Sequence, residues 1–258
     1  MKSKTNENSV IFIGAGPGDP DLITVKGQKA LQQADFVIYA GSLVPDSLLV
    51  WAKNAEAVNS AYLSLGEIID LIQKAVNDGK KVVRLHTGDP SLYGAIYEQM
   101  AELDKRDISY TVIPGVTAAF AAAASMKIEY TLPEISQTLI LTRITGRTKV
   151  PESERLDKLV AHNSSMAIYL SIGQIEAVQK ILSDQYGDSF ICVIAVKVSQ
   201  PEEKLFYIKV KDLTDTVQNE SIKSQALIIV SPSFQSLQKE IKYKSKLYDK
   251  AFKHEYRA

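Results

Sequence analysis

Three short, largely apolar runs in the first half of the chain each end at a glycine-bearing loop, and this repetition constrains the fold more than any other feature. Val10-Ile11-Phe12-Ile13 runs into Gly14-Ala15-Gly16-Pro17-Gly18-Asp19-Pro20. Val82-Val83-Arg84-Leu85 leads through His86 into Thr87-Gly88-Asp89-Pro90-Ser91-Leu92-Tyr93-Gly94, and residues 110–113 lead into Pro114-Gly115-Val116-Thr117-Ala118. Runs that do not alternate with polar residues suit strands buried on both faces, as in a parallel sheet covered by helices. A fourth run, Phe36-Val37-Ile38-Tyr39, ends at Gly41. Helical spacing separates the runs. Ile23, Gly27, Ala30, Leu31 and Ala34 fall on one face, with Pro20 placed to start that helix, and Leu65, Ile68, Ile69, Ile72, Ala75 and Val76 make a second apolar stripe that Gly79 is placed to stop. A further helix is expected around residues 95–103, and an alanine-rich one over 118–124 with Thr117 as N-cap.

The second half is expected to carry strands at 138–142, 165–171, 190–198, 205–210 and 226–230. Helices near 155–162, 174–182 and 212–219 separate several of them. Two of these strands lie close together in sequence, which points to a mixed sheet. The expected architecture is therefore two α/β domains: residues 1–126 with a mainly parallel sheet, and residues 127–240 with a mixed one. Residues 241–258 form a basic tail; from Lys239 onward there are seven Lys/Arg against three acids.

The composition of the 258 residues narrows the function classes. Thirty Lys+Arg balance thirty Asp+Glu, which argues against a dedicated nucleic-acid or membrane-surface binder. A single cysteine, Cys192, excludes a disulfide framework and lies in an apolar strand, where it reads as inert core. His86, His162 and His254 are scattered without metal-ligand spacing, so no metal site is expected. No apolar run reaches the roughly 18 residues that span a bilayer, and the polar first nine residues carry no cleavage pattern, so a cytoplasmic protein is expected. Ser42 lacks a nucleophile elbow, which removes a serine-hydrolase reading.

The loops are the candidate chemistry. Gly14 and Gly16 let backbone approach a ligand closely, as in a dinucleotide fingerprint, yet Asp19 stands where that fingerprint needs a small residue and no acid ends the second strand. A plain tight turn accounts for the same spacing. Asp89, at a strand exit, is either the acid of a binding site or an Asx-type turn residue. Thr117 opens a helix whose free N–H groups suit a polar ligand atom. In the second half, Arg143 and Arg147 stand four residues apart after a strand; guanidinium forks there suit substrate carboxylates, or the segment is simply a solvated loop. His86, at a strand end beside the Gly88 loop, is kept as a pocket residue.

Taken together, these motifs resemble the tetrapyrrole (corrin/porphyrin) methyltransferase family, from Val10 to about Tyr248. The Gly-Ala-Gly-Pro-Gly-Asp-Pro, Gly88-Asp89-Pro90 and Pro114-Gly115 elements match the whole family. Tyr39-Ala40-Gly41-Ser42-Leu43-Val44, the stretch His86 to Gly94, Glu129-Tyr130-Thr131-Leu132-Pro133-Glu134 and Thr142-Arg143…Gly146-Arg147-Thr148 resemble the branch acting on precorrin-4 or cobalt-precorrin-4 at ring carbon 11, in cobalamin biosynthesis. Lys244-Ser245-Lys246-Leu247-Tyr248 resembles the cobalt-using form; any cobalt then belongs to the substrate.

The resemblance implies the tetrapyrrole methylase fold and a homodimer. It also implies S-adenosyl-L-methionine held between domains and released as S-adenosyl-L-homocysteine. Position by position it implies cofactor contacts at Pro17, Gly88, Asp89, Pro90, Tyr93, Thr117, Ala118, Leu170, Val198 and Ala226. It places Asp89 near the transfer site, with Arg143, Arg147 and His86 at a polycarboxylate substrate. The segment 198–203 lacks the aromatic residue common before its proline. A methylase acting at another ring carbon (uroporphyrinogen III or precorrin-3B type), a non-catalytic tetrapyrrole binder, a nicotinamide-dependent oxidoreductase and a ribosomal-RNA methylase of the same fold remain the alternatives.

Overall fold

The computed structural model describes residues 9–41, 43–44, 46–146 and 148–236. Chain contacts divide it into two compact units, one of residues 1–121 with 197–201 and the other of residues 122–196 with 202–258. The chain thus returns briefly to the first unit at 197–201, which the expected boundary at 126–127 does not anticipate. The basic tail lies outside the described residues.

The first unit is built on a five-stranded sheet ordered β3-β2-β4-β1-β5. Its strands are β1 (Val10–Gly14), β2 (Phe36–Tyr39), β3 (Glu56–Asn59), β4 (Val82–His86) and β5 (Tyr110–Ile113), and every pairing is parallel. Alternation along β1 and β4 sends side chains to two separate cores. Ile13, Val83 and Leu85 join Leu31 of α1 (Val25–Gln32) on one face. Phe12 and Val82 join Ile69 and Ile72 of α2 (Leu65–Asn77) and Leu103 of α3 (Ile96–Asp104) on the other. Fully burying each such side chain contributes roughly 1.5–3 kcal/mol, which explains why these runs are largely apolar.

Local signals set the helix ends. Ser64 and Glu67 form a reciprocal capping box at the start of α2. At its end the Lys80 and Gly79 N–H groups donate to the Ala75 and Val76 carbonyls, with Gly79 at φ +74°, so Gly79 does stop the helix through a Schellman motif. Pro20 does not begin α1. It opens a separate 3₁₀ turn capped by Asp19, and α1 starts at Val25 under the Thr24 hydroxyl, which accepts from the Gly27 N–H at 3.2 Å. Strand β3 has no apolar run, because it is an exposed edge strand, and the sequence reading passes over it.

The second unit carries the sheet β6-β7-β10-β8-β9. Helix α4 (Ala118–Met126) leads into β6 (Leu139–Arg143), followed by α5 (Leu156–Leu159), β7 (Ser165–Tyr169) and α6 (Ile175–Tyr186). Then come β8 (Ile191–Val196), β9 (Lys204–Lys209), α7 (Leu213–Asn219) and β10 (Ala226–Val230). Only β6 and β7 pair in parallel; β7–β10, β10–β8 and β8–β9 are antiparallel, so this sheet is mixed as expected. Its principal core sets Met166, Ile168, Ile194 and Ile228 against Val178 and Leu182 of α6 and Leu213 of α7. Cys192 is fully buried there, and burial, aided by Asp212, pushes its thiol up to about 12, consistent with inert core.

Candidate functional site

Strands β4, β1 and β5 are neighbours in the first sheet, so their three loops emerge side by side. Their backbones interlock. Gly16 and Gly88 exchange two backbone hydrogen bonds, 3.2 and 2.8 Å, and the Ala15 N–H donates to the His86 carbonyl at 2.7 Å. A Cβ on Gly14 would lie 2.5 Å from the Gly115 nitrogen and 2.6 Å from the Gly88 oxygen, and one on Gly115 would strike the same Gly88 oxygen. No side chain fits at either position. Gly16 and Gly88, at φ +79° and +60°, add left-handed turns that glycine adopts without penalty. At Gly88 a Cβ would make only ordinary van der Waals contact, with Thr117 Cα at 3.7 Å and the Val116 oxygen at 3.9 Å, so its left-handed φ rather than crowding is what calls for glycine.

Asp89 binds two of these loops together. One carboxylate oxygen accepts from the Gly115 N–H at 2.9 Å, and the other accepts from the Ser91 N–H at 2.8 Å and the Ser91 hydroxyl. Partial burial opposes its ionisation, but the bonds from Ser91 and Gly115 outweigh this and hold the carboxyl below its ordinary value. Both oxygens are therefore engaged, and the Asx-type reading of Asp89 describes its geometry: it positions the loops rather than presenting a free acid to a reaction. Past Pro90, which is buried, the loop passes through Tyr93 (φ 56°, 42% exposed) and Ala95 (φ 50°). Each left-handed non-glycine residue costs about 1–2 kcal/mol and persists only where its surroundings enforce it.

Other expected cofactor positions gather at the same sheet edge. Pro17 is buried in the first loop, and Thr117, also buried, directly precedes α4, its carbonyl accepting the Phe120 N–H at 3.1 Å; Ala118 is the first helical residue. Val198 is buried within the 197–201 segment that belongs to this unit. There Ser199, which sequence reasoning did not single out, accepts from the Asp19 N–H at 3.0 Å and so ties the segment to the first loop.

His86 is placed differently from its expected role at the substrate. It is 4% exposed, its ring stacks on Phe12 at 5.9 Å between centroids, and its Nε2 is buried without a hydrogen-bond partner. Burial, with the Arg84 charge as a second cause, pushes its pKa down to about 3. A neutral imidazole locked in the core is not presented to a polycarboxylate, and the sequence could not reveal this because His86 stands at a strand end, where either face is open to it.

In the second unit, Arg143 ends β6 and pairs in register with Tyr169, the end of β7; Leu170 follows at φ 51° and 63% exposed. Since β6 and β7 run parallel and β10 antiparallel to β7, β10 begins, at Ala226, at the end where β6 and β7 finish. Arg143, Leu170 and Ala226 therefore share one end of the mixed sheet. Ser171, another residue the sequence did not mark, holds this end: its hydroxyl accepts from the Ile144 N–H at 2.9 Å and donates to the Tyr169 carbonyl at 2.6 Å. Arg147 lies outside the described residues. Among the described residues no cluster of three or more His, Cys, Asp or Glu could hold a metal ion, and no helix is long and apolar enough to cross a membrane.

These groups offer backbone atoms, hydroxyls and one cation at strand ends, with an acid already committed to structure. Such a set binds and orients. It suits a reaction whose activated group arrives with a cofactor.

Comparison with known proteins gives a consistent picture. The family described as Tetrapyrrole (Corrin/Porphyrin) Methylases matches residues 9–214. The chain is 52% identical over 254 residues to the cobalt-precorrin-4 C(11)-methyltransferase of Methanocaldococcus jannaschii, covering 98% of this chain and 97% of that one. It is 43% identical to the precorrin-4 C(11)-methyltransferase of Pseudomonas aeruginosa, covering 96% and 98%. The X-ray structure of a cobalamin biosynthetic enzyme, cobalt precorrin-4 methyltransferase, superposes with a TM-score of 0.84 at 42% identity, covering 90% of this chain and 98% of that one.

Proposed function

The chain belongs to the tetrapyrrole (corrin/porphyrin) methylase family, and from that premise we propose that it is an S-adenosyl-L-methionine-dependent C-methyltransferase acting on carbon 11 of cobalt-precorrin-4 or precorrin-4 in cobalamin biosynthesis. The observation that supports this most is near-full-length likeness to C(11)-methyltransferases named for either substrate form. The cofactor would supply a methyl group already activated on a sulfonium and leave as S-adenosyl-L-homocysteine. The glycine-walled strand exits support this: Gly14, Gly88 and Gly115 carry no side chain, so these exits present backbone to a ligand.

In this reading Pro17, Gly88, Asp89, Pro90, Tyr93, Thr117 and Ala118, with Val198, line the cofactor on the first unit. Leu170 and Ala226 are the further positions that the family resemblance implies, at one end of the second unit's sheet. Asp89 acts by holding the second and third loops in register. Arg143 receives a substrate carboxylate, with Arg147, four residues on in the sequence, as its intended companion. His86 supports the floor beneath. Alignment of two bound reactants can supply about 7–11 kcal/mol of barrier lowering, so rigid loops are the protein's main contribution to rate. The protein works as a cytoplasmic homodimer, with no nucleic-acid or membrane partner.

The test is release of S-adenosylhomocysteine on incubation with cobalt-precorrin-4 and with precorrin-4, using uroporphyrinogen III and precorrin-3B as controls. Turnover of either precorrin-4 form above both controls is expected. Preference for a control would make this a sibling ring methylase, and release with none of the four would leave a non-catalytic binder.

A further inference from the structure

Arg84 sits mid-strand in β4, paired in register with both Phe12 of β1 and Ile38 of β2, and is only 5% exposed. Among the described residues no carboxylate neutralises it; its Nε donates to Gln99 Oε1 and its Nη1 to the Ile38 carbonyl, both at 3.1 Å. Burial alone draws its pKa down to about 10. An isolated buried guanidinium is costly, and a methionine or leucine would fill the same core without that cost.

Gln99 shows where the charge is directed. It is itself buried, and its Nε2 donates to the Ala95 carbonyl at 3.0 Å. Arginine can only donate and a carbonyl can only accept, so the amide of Gln99 has one permitted orientation. The chain of contacts runs from the middle strand of the sheet, through Arg84 and Gln99, to the left-handed Ala95 that closes the 88–95 loop. The other end of this loop is held by Asp89 on Gly115.

We propose that Arg84, acting through Gln99, is a positioning residue that fixes the closing end of the 88–95 loop and thereby the shape of the cofactor site. This rests on the reading that the loop carries S-adenosylmethionine. The guanidinium orients an amide, the amide orients a carbonyl, and the carbonyl belongs to a residue that would otherwise relax away from φ 50°.

The test uses Gln99→Met, which removes both contacts, and Gln99→Glu. The glutamate keeps an acceptor for Arg84 but sets an oxygen against the Ala95 carbonyl. Calorimetric titration with S-adenosylhomocysteine should show about a tenfold loss of affinity in both. The KM for S-adenosylmethionine should rise in step, while that for the tetrapyrrole stays within about twofold. Thermal stability should fall in Gln99→Met and stay near the parent in Gln99→Glu, so a purely structural role would not reproduce the pattern. Adding Ala95→Gly should recover about threefold or more of the lost affinity, because glycine holds a positive φ unaided. Affinity within about twofold of the parent in Gln99→Glu, or no recovery with Ala95→Gly, overturns the proposal. If the parent itself does not bind S-adenosylhomocysteine, the functional reading falls, and hydrogen exchange in the ligand-free protein still decides the anchor. Exchange at amides 91–96 accelerated about tenfold in Gln99→Glu supports it, and unchanged exchange overturns it.

Discussion

At the carboxyl ends of β1, β4 and β5 the chain presses three glycines into backbone contact, whereas at the Arg143 end of the mixed sheet one serine hydroxyl ties neighbouring segments and Leu170 is exposed. The first arrangement is defined by atoms that must be absent. The second is defined by side chains, and side chains can change one at a time. A cofactor shared by a whole family needs an invariant cradle, while a particular tetrapyrrole needs particular groups at its edge. On the proposed reading, the common chemistry falls chiefly to the first unit and substrate choice chiefly to the second.

Breaking the glycine contact should have the largest effect. Gly115→Ala puts a methyl against the Gly88 oxygen and the Gly14 backbone, and about 3 kcal/mol or more of stability should be lost, read by urea denaturation. Acid should separate the two units next. His86 has its pKa depressed to about 3 by burial and then by Arg84, so on acidification the unfolded chain takes up this proton first. The contribution is complete above about pH 6.5 and declines by up to about 1.4 kcal/mol per pH unit toward pH 3. Between pH 7 and 5 the first unit should weaken, and His86→Phe, which keeps the stack on Phe12, should flatten that slope; parallel slopes would count against the assignment.

Asp89→Asn should cost about 1–3 kcal/mol, since either amide orientation fails one of the three donors. Its effect should appear in S-adenosylhomocysteine affinity. Arg143→Ala should do the reverse, raising the tetrapyrrole KM about tenfold while leaving S-adenosylhomocysteine affinity unchanged. An equal shift in both constants would erase the division between the units.

Much of this fold is legible in the sequence because both faces of a parallel sheet demand apolar residues, and because the three loops share a glycine pattern. The edge strand β3 escapes notice because an exposed edge imposes no such demand. Burial of His86 and the bond between Asp89 and Gly115 escape for another reason, although a turn role for Asp89 was one of the two readings its position offers. Each depends on which neighbour the sheet order brings alongside, Phe12 in one case and Gly115 in the other. Ser171 and Ser199 carry no signal at all, since a serine that holds a backbone N–H looks like any loop serine. Arg84 was visible as a charge inside an apolar run, but its link to Ala95 needed Gln99, fifteen residues away.

Where the methyl goes is the most direct test of the proposed reaction. Cobalt-precorrin-4 and precorrin-4 should each be incubated with S-adenosylmethionine carrying a ¹³C-labelled methyl, and the product of whichever turns over examined by NMR. One labelled methyl at carbon 11, with S-adenosylhomocysteine released in equal amount, is the predicted result. A labelled methyl at any other ring carbon, or no labelled product from either substrate, would contradict it.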